Sequence, residues 1–203
     1  MEGGQICVLV THTYEAIADT IIASGGCNGA NHMGTFQYLN VGVGRGLVRF
    51  QLDAAGVTAL LTPGKVKKAT LTLTRNANCE SEVNPCPATA GSLQVFPLRN
   101  DWDEGNDQSY TGADWCRRLA NKAPWNQPGA DGDHGTAAGL VSTGAQDPAL
   151  VVELDASKWD ASWLNSAAPE LSVLLIPVDA LFVFASREST QWAHPKLTLE
   201  TCQ

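Results

Sequence analysis

The amino-acid sequence predicts an all-β sandwich. Three observations carry this reading. Apolar and polar residues alternate with period two in many short runs. Gly, Pro, Asn and Asp punctuate those runs. Helical periodicity is scarce.

In "GLVRFQLD", Val48, Phe50 and Leu52 share one face, while Leu47, Arg49, Gln51 and Asp53 share the other. In "KKATLTLTRN", Leu71 and Leu73 alternate with Thr70, Thr72 and Thr74. "GSLQVFPLRN" puts Leu93 and Val95 together, and "LVVELDAS" sets Leu150, Val152 and Leu154 against Val151, Glu153 and Asp155. "KLTLETC" turns Leu197 and Leu199 inward. A half-buried strand requires this pattern, because successive side chains point to opposite faces. Two runs, "LSVLLIPV" and "LFVFASRE", are apolar on both faces, which predicts central strands joined by a tight hairpin at "VDA". The reading gives about ten strands. The best helix candidate is "DASKWDASWLNS", where Trp159 and Trp163 can share a face and Asp155 or Ser157 can cap. Two long loops interrupt the sandwich, one near 77–91 and one near 103–148; a loop that long in a compact domain is usually functional or mobile.

The chain has 203 residues, a length that one sandwich domain (1–203) can account for. Its net charge of −8 opposes the phosphate contacts that dominate nucleic-acid affinity, so nucleic acid is not expected as a partner. The longest apolar run is broken by Pro177 and Asp179, which argues against membrane insertion. Its N-terminus lacks a signal-peptide pattern. The six cysteines nevertheless favour disulfides, an oxidising compartment and excision from a larger secreted or cell-surface protein; buried cytosolic thiols are the alternative. Sequence does not select a pairing. The expected set is Cys79–Cys86 as a loop clip, Cys7–Cys202 joining the ends, and Cys27–Cys116 from the remaining pair.

The order of short motifs then becomes informative: "ADTII", "NHMGTFQYLNVG", "RGLVRFQL", "GKVKKATLTLT", "LQVFPLRNDWDEG", "TGADW", "APWNQPGADGD", "VVELD", "FASRE" and "HPKLTLE". Together they resemble the DNRLRE domain family, also described as carbohydrate-binding module family 96, over most of the chain. The resemblance implies a jelly-roll sandwich, non-catalytic, carried by secreted or cell-surface microbial proteins and often attached to polysaccharide-degrading enzymes. The extra cysteines and the insertion around Cys79–Cys86 depart from the family pattern.

Three chemistries are weighed for the long loop, "DWDEGNDQSYTGADWCRR". For catalysis, no nucleophile elbow, HExxH helix or phosphate loop is present, and the adjacent Asp103 and Glu104 cannot flank one bond if extended. For metal, Asp131 and Asp133 in "ADGDHG" offer hard oxygens of the kind Ca²⁺ takes, with ordinary turn formation as the equal alternative. Asp19 and Asn31 fall in the first family motif and form a further oxygen pair, although turn formation is the favoured reading of Asp19. For sugar, Trp102, Tyr110 and Trp192 are candidate stacking platforms, Trp115 and Trp125 match family motif positions, and core packing competes at each tryptophan. Arg117 and Arg118 add a local basic patch. Glu188 of "SRE" is expected to pair with a cation such as Arg49 or to bind metal.

The expectation is therefore a monomeric, non-catalytic, extracellular polysaccharide-binding module, with Ca²⁺ as a structural ion. A surface domain adhering to protein or matrix is the first alternative. A polysaccharide lyase or hydrolase using the loop carboxylates is the second.

Overall fold

The structure, a computed structural model, describes residues 7–24, 27, 33–42, 44–75, 89–106, 111–120, 122–144, 147–160, 164 and 169–203. The strands are β1 (Leu9–Ala23), β2 (Tyr38–Val41), β3 (Gly44–Gln51), β4 (Val66–Thr74), β5 (Gly91–Leu98), β6 (Arg117–Leu119), β7 (Ala123–Pro124), β8 (Gly139–Thr143), β9 (Ala149–Leu154), β10 (Glu170–Val178), β11 (Phe182–Ala185) and β12 (Lys196–Cys202). Among the described residues one α-helix, α1, spans Ala54–Leu61.

β1 is the corner of the sandwich. Its first half pairs with β12, from Leu9↔Cys202 to Glu15↔Lys196. After a register shift between Ala16 and Ala18 its second half pairs with β3. A bulge of this kind bends a strand and increases its twist, so one strand can serve two sheets. The first sheet runs β9-β4-β12-β1 and the second β8-β5-β10-β3-β1. β11 pairs with β2, and β2 joins β3 through one parallel bridge, Val41↔Gly44. Every other pairing between these strands is antiparallel. The all-β sandwich is as the alternation predicts, and β6–β7 is a small separate hairpin.

The inner faces form one core. Leu71, Leu73, Leu150, Val152, Leu197 and Leu199 from the first sheet belong to the same buried cluster as Val48, Phe50, Leu93, Val95, Val173 and Leu175 from the second. These are the residues that period two places inward. Burying each leucine, valine or phenylalanine contributes about 1.5–3 kcal/mol before chain entropy is charged against it.

Four expectations change. β10 and β11 do not form a hairpin: both edges of β10 are taken, by β3 and β5, and β11 pairs with β2 instead. Residues 155–166 do not begin as an α-helix. Asp155 accepts from Ser157 N at 3.0 Å and caps a single 3-10 turn, after which Trp159 is extended. Trp163 lies outside the described residues. The α-helix forms instead at "AAGVTALL", with Asp53 as its N-cap. β8 lies inside the stretch read as the second long loop and pairs with β5.

Two disulfides are present among the described residues, Cys7–Cys202 and Cys27–Cys116, as expected. Cys79 and Cys86 lie outside the described residues. The first disulfide joins the ends of β1 and β12. The second ties the segment after β1 to the long crossover between β5 and β8.

That crossover covers the outer face of the second sheet. Ala18, Ile22, Leu47, Leu98 and Leu174 point away from the main core, and Trp102, Ala113, Trp125 and Ala130 bury them. This third layer explains why Leu47, on the polar face of its run, is fully buried.

Candidate functional site

The crossover is held by its own polar groups. The Asp114 carboxylate accepts from Cys116 N at 2.8 Å and Arg117 N at 2.7 Å, and its carbonyl accepts Trp125 Nε1 at 2.8 Å. Asp103 Oδ2 accepts Ala120 N at 2.7 Å. Asp133 is buried and accepts from Asn126 N at 2.7 Å, from Asn126 Nδ2 at 3.0 Å and from Asn100 Nδ2. Asp131 pairs with Arg45 at 2.5 Å. Asp133 thus holds the loop through Asn100 and Asn126, and Asp131 is engaged in an ion pair with Arg45, contacts of the kind the turn alternative calls for.

Most of the expected sugar platform belongs to the packing. Trp102 is 1 % exposed, donates Nε1 to Ser172 Oγ at 3.1 Å, and lies under the Arg49 guanidinium, 4.5 Å from the ring centre. Trp125 is 4 % exposed. Neither ring can stack on a ligand, so both are core residues of the third layer. Trp115 is half-buried beneath the Arg45 guanidinium, 5.1 Å from its ring centre, and its ring edge packs on Gly129. Gly129 has φ of 78°, where a side chain would be strained and would also strike that ring. Trp192 is half-buried, with Nε1 enclosed. Arg117 donates to Cys27 O at 3.0 Å and Arg118 to Asp101 O at 3.0 Å. Tyr110 and Asn31 lie outside the described residues. Arg49 pairs with Asp101 at 2.7 Å and Glu170 at 3.3 Å, so it is not the partner of Glu188.

The structure opens a cleft elsewhere. β9 ends at Leu154, opposite Ala69, so it leaves the preceding residues of β4 unpaired on that side. The turn after α1 forms the opposite wall. The result is a cleft of about 530 Å³ lined by Leu61, Lys67, Lys68, Glu153, Asp155 and Trp159, among others. Trp159 is 9 % exposed and packs into the main core, and its Nε1–H has no acceptor among the described residues. Lys67 and Lys68 are exposed, without a carboxylate partner among the described residues. The side-chain and backbone hydrogen bonds from Ser157 hold the Asp155 carboxyl below its usual range, so it stays ionised. Sequence reasoning placed Trp159 on a helix. The "KVKK" start of β4 reads in the sequence as a solvated lysine cluster, Lys65, Lys67 and Lys68; the structure sets Lys67 and Lys68 on the lining of the cleft.

A separate acidic cluster lies where β1, the start of the crossover and the β11–β12 connection meet. One carboxylate oxygen each from Asp19, Glu104 and Glu188 falls within 4.8 Å of the others. Arg187 binds Glu104 through two parallel contacts, Nε to Oε1 and Nη2 to Oε2, both 2.7 Å, and approaches Glu188 Oε1 at 2.8 Å. Its backbone N donates to Asp19 Oδ2 at 2.7 Å, and Asp19 N donates to Glu104 Oε1 at 2.7 Å. Gly34 packs so closely on Glu104 that a Cβ would collide with its backbone. Burial pushes the Asp19 carboxyl well above its usual range, and the Glu188 and Glu104 carboxylates push it the same way; burial, then repulsion from Glu104, raises Glu188.

Comparisons of the chain with protein-family models and with curated proteins gave no match.

Proposed function

We propose that the chain is a non-catalytic polysaccharide-binding module that works outside the cell, with its glycan site in the cleft beside β4. The carrying observation is the cleft itself: about 530 Å³, lined by the largely buried Trp159 and by Lys67, Lys68, Glu153 and Asp155. Ligand pockets commonly fall between about 300 and 1,000 Å³ and combine an apolar floor with a few polar groups. A pyranose ring supplies the matching surface, apolar on its face and hydroxylated at its edge. Among the described residues the Trp159 Nε1–H has no acceptor, and a buried unpaired donor costs about 1–3 kcal/mol. Lys67 and Lys68 provide charge for the carboxylates of uronic sugars.

Two disulfides support an oxidising location. Among the described residues, no helix is long and apolar enough to cross a membrane. The resemblance to DNRLRE domains points the same way.

Affinity electrophoresis against neutral and uronate polysaccharides tests this. Retardation on at least one gel is expected, reduced about tenfold or more, or about 1.4 kcal/mol, by Trp159→Phe and by Lys67→Ala with Lys68→Ala. Retardation unchanged in these variants, or none on any gel, overturns the site. Release of new chain ends from a bound polysaccharide overturns the non-catalytic reading.

A further inference from the structure

We propose that Asp19, Glu104 and Glu188 bind one Ca²⁺ per chain, which pins the start of the crossover against β1 and the β11–β12 connection. This site is distinct from the glycan cleft and from the Asp131 and Asp133 pair.

Two observations carry it together. The first is the convergence of three carboxylates within 4.8 Å around a single guanidinium, so negative charge exceeds its local compensation. The second is what remains unpaired. Asp19 is 0 % exposed and, among the described residues, its Oδ1 has no hydrogen-bond partner; Glu188 Oε2 is also enclosed and has none among them. The described polar groups satisfy only one oxygen of each. Asp19 Oδ2 takes the Arg187 backbone, and Glu188 Oε1 takes the Arg187 side chain. Buried carboxylate oxygens without donors are expensive; a proton relieves part of that cost, and a bound cation removes it with all three carboxylates ionised.

The donor set selects the ion. All three ligands are hard oxygens, with no thiolate or imidazole beside them among the described residues, which disfavours zinc and copper. Ca²⁺ accepts six to eight oxygens in flexible geometry, whereas Mg²⁺ requires a near-ideal octahedron and keeps its waters. A site assembled from three separate chain segments, with one ligand already gripped by Arg187, suits the more permissive ion.

The ion would also account for a sequence feature. "ADTII", "DWDEG" and "FASRE" are far apart in the chain, yet each delivers one carboxylate to this place. Asp19 sits just after the register shift in β1, Glu104 at the start of the crossover and Glu188 just beyond β11.

The test uses the whole chain, stripped with EGTA and titrated with CaCl₂ by calorimetry and thermal denaturation. One Ca²⁺ per chain is expected. At a free concentration about a hundredfold above Kd, Tm should rise by roughly 5–10 °C. Asp19→Asn and Glu188→Gln should each abolish the rise, and Asp131→Asn should keep it. Should Asp19→Asn fail to fold, Glu188→Gln decides alone. No heat and no Tm rise overturns the proposal. So does a full response in Glu188→Gln, or loss of the response in Asp131→Asn. An equal rise with MgCl₂ at the same concentration overturns the assignment to calcium. Glycan retardation measured in EGTA separates this site from the cleft.

Discussion

The Tyr14 hydroxyl donates to Asp53 Oδ1 at 2.8 Å, and the same oxygen accepts Gly56 N at 2.7 Å. One carboxylate thus caps α1 and fixes it to β1, across 39 residues of chain. The Gly56 amide, then the Tyr14 hydroxyl, hold the Asp53 carboxyl below its usual range. Burial, then the Asp53 carboxylate, push the Tyr14 hydroxyl up. Replacing Asp53 by Ala should cost about 1–2 kcal/mol in urea denaturation. The sign with pH follows from a depressed carboxyl. Its contribution is present above the unfolded value near 3.9 and disappears as pH falls through the lower folded value. The gap between the wild type and Asp53→Ala should therefore narrow below about pH 4. A gap that stays constant to pH 2 contradicts the capping account.

Arg49 joins three contacts that no lysine can reproduce together: the ring of Trp102, the Asp101 carboxylate and Glu170. A planar fork can stack and bond in plane at once. Arg49→Ala should destabilise by about 3 kcal/mol, because it leaves half-buried carboxylate behind. Arg49→Lys should recover less than half of that loss in the same chemical-denaturation series.

Trp102 and Trp115 lie in the same crossover and should respond differently. Trp102→Ala empties a buried site and should cost about 3–5 kcal/mol. Trp115→Ala removes a half-buried ring and should cost clearly less. Neither should change glycan retardation once the folded fraction is accounted for. Similar losses for the two would place Trp115 in the core as firmly as Trp102.

The Cys27–Cys116 bridge restricts the crossover relative to β1. The double Cys→Ser variant should lose about 2–4 kcal/mol and become susceptible to limited proteolysis within the crossover. Intact-mass measurement before and after reduction establishes the bridge in the wild type.

The fold was legible where one face of a strand meets the core. Val48, Phe50, Leu71, Leu73, Leu197 and Leu199 are buried as their alternation requires. It was less legible where a segment has two covered faces. Leu47 and Leu174 face away from the main core, and only the crossover, folding back from residues 99–138, explains their burial. The β10–β11 hairpin failed for a related reason, since local turn chemistry at Asp179 says nothing about which neighbours already occupy an edge. Helix α1 carried a readable signal, an Asp followed by a small apolar run, but "AAGVTALL" offers little helical periodicity. The expected cation for Glu188 was Arg49; the actual one is its neighbour Arg187, which turns back because Ser186, Arg187 and Glu188 leave the strand. Asp19 could be singled out by sequence, but its partners Glu104 and Glu188 are 85 and 169 positions away, a separation that only the tertiary structure closes.

The pairing of Cys7 with Cys202, Cα atoms 5.1 Å apart, has a consequence for architecture. Polypeptide continuing in either direction departs from the same corner, so the sandwich can hang from a host protein as a pendant, spliced into a surface loop without stretching it. A circular permutant that reconnects the old ends through a few glycines and opens at Gly64, a φ of 74° with free space around it, should fold to the same shape.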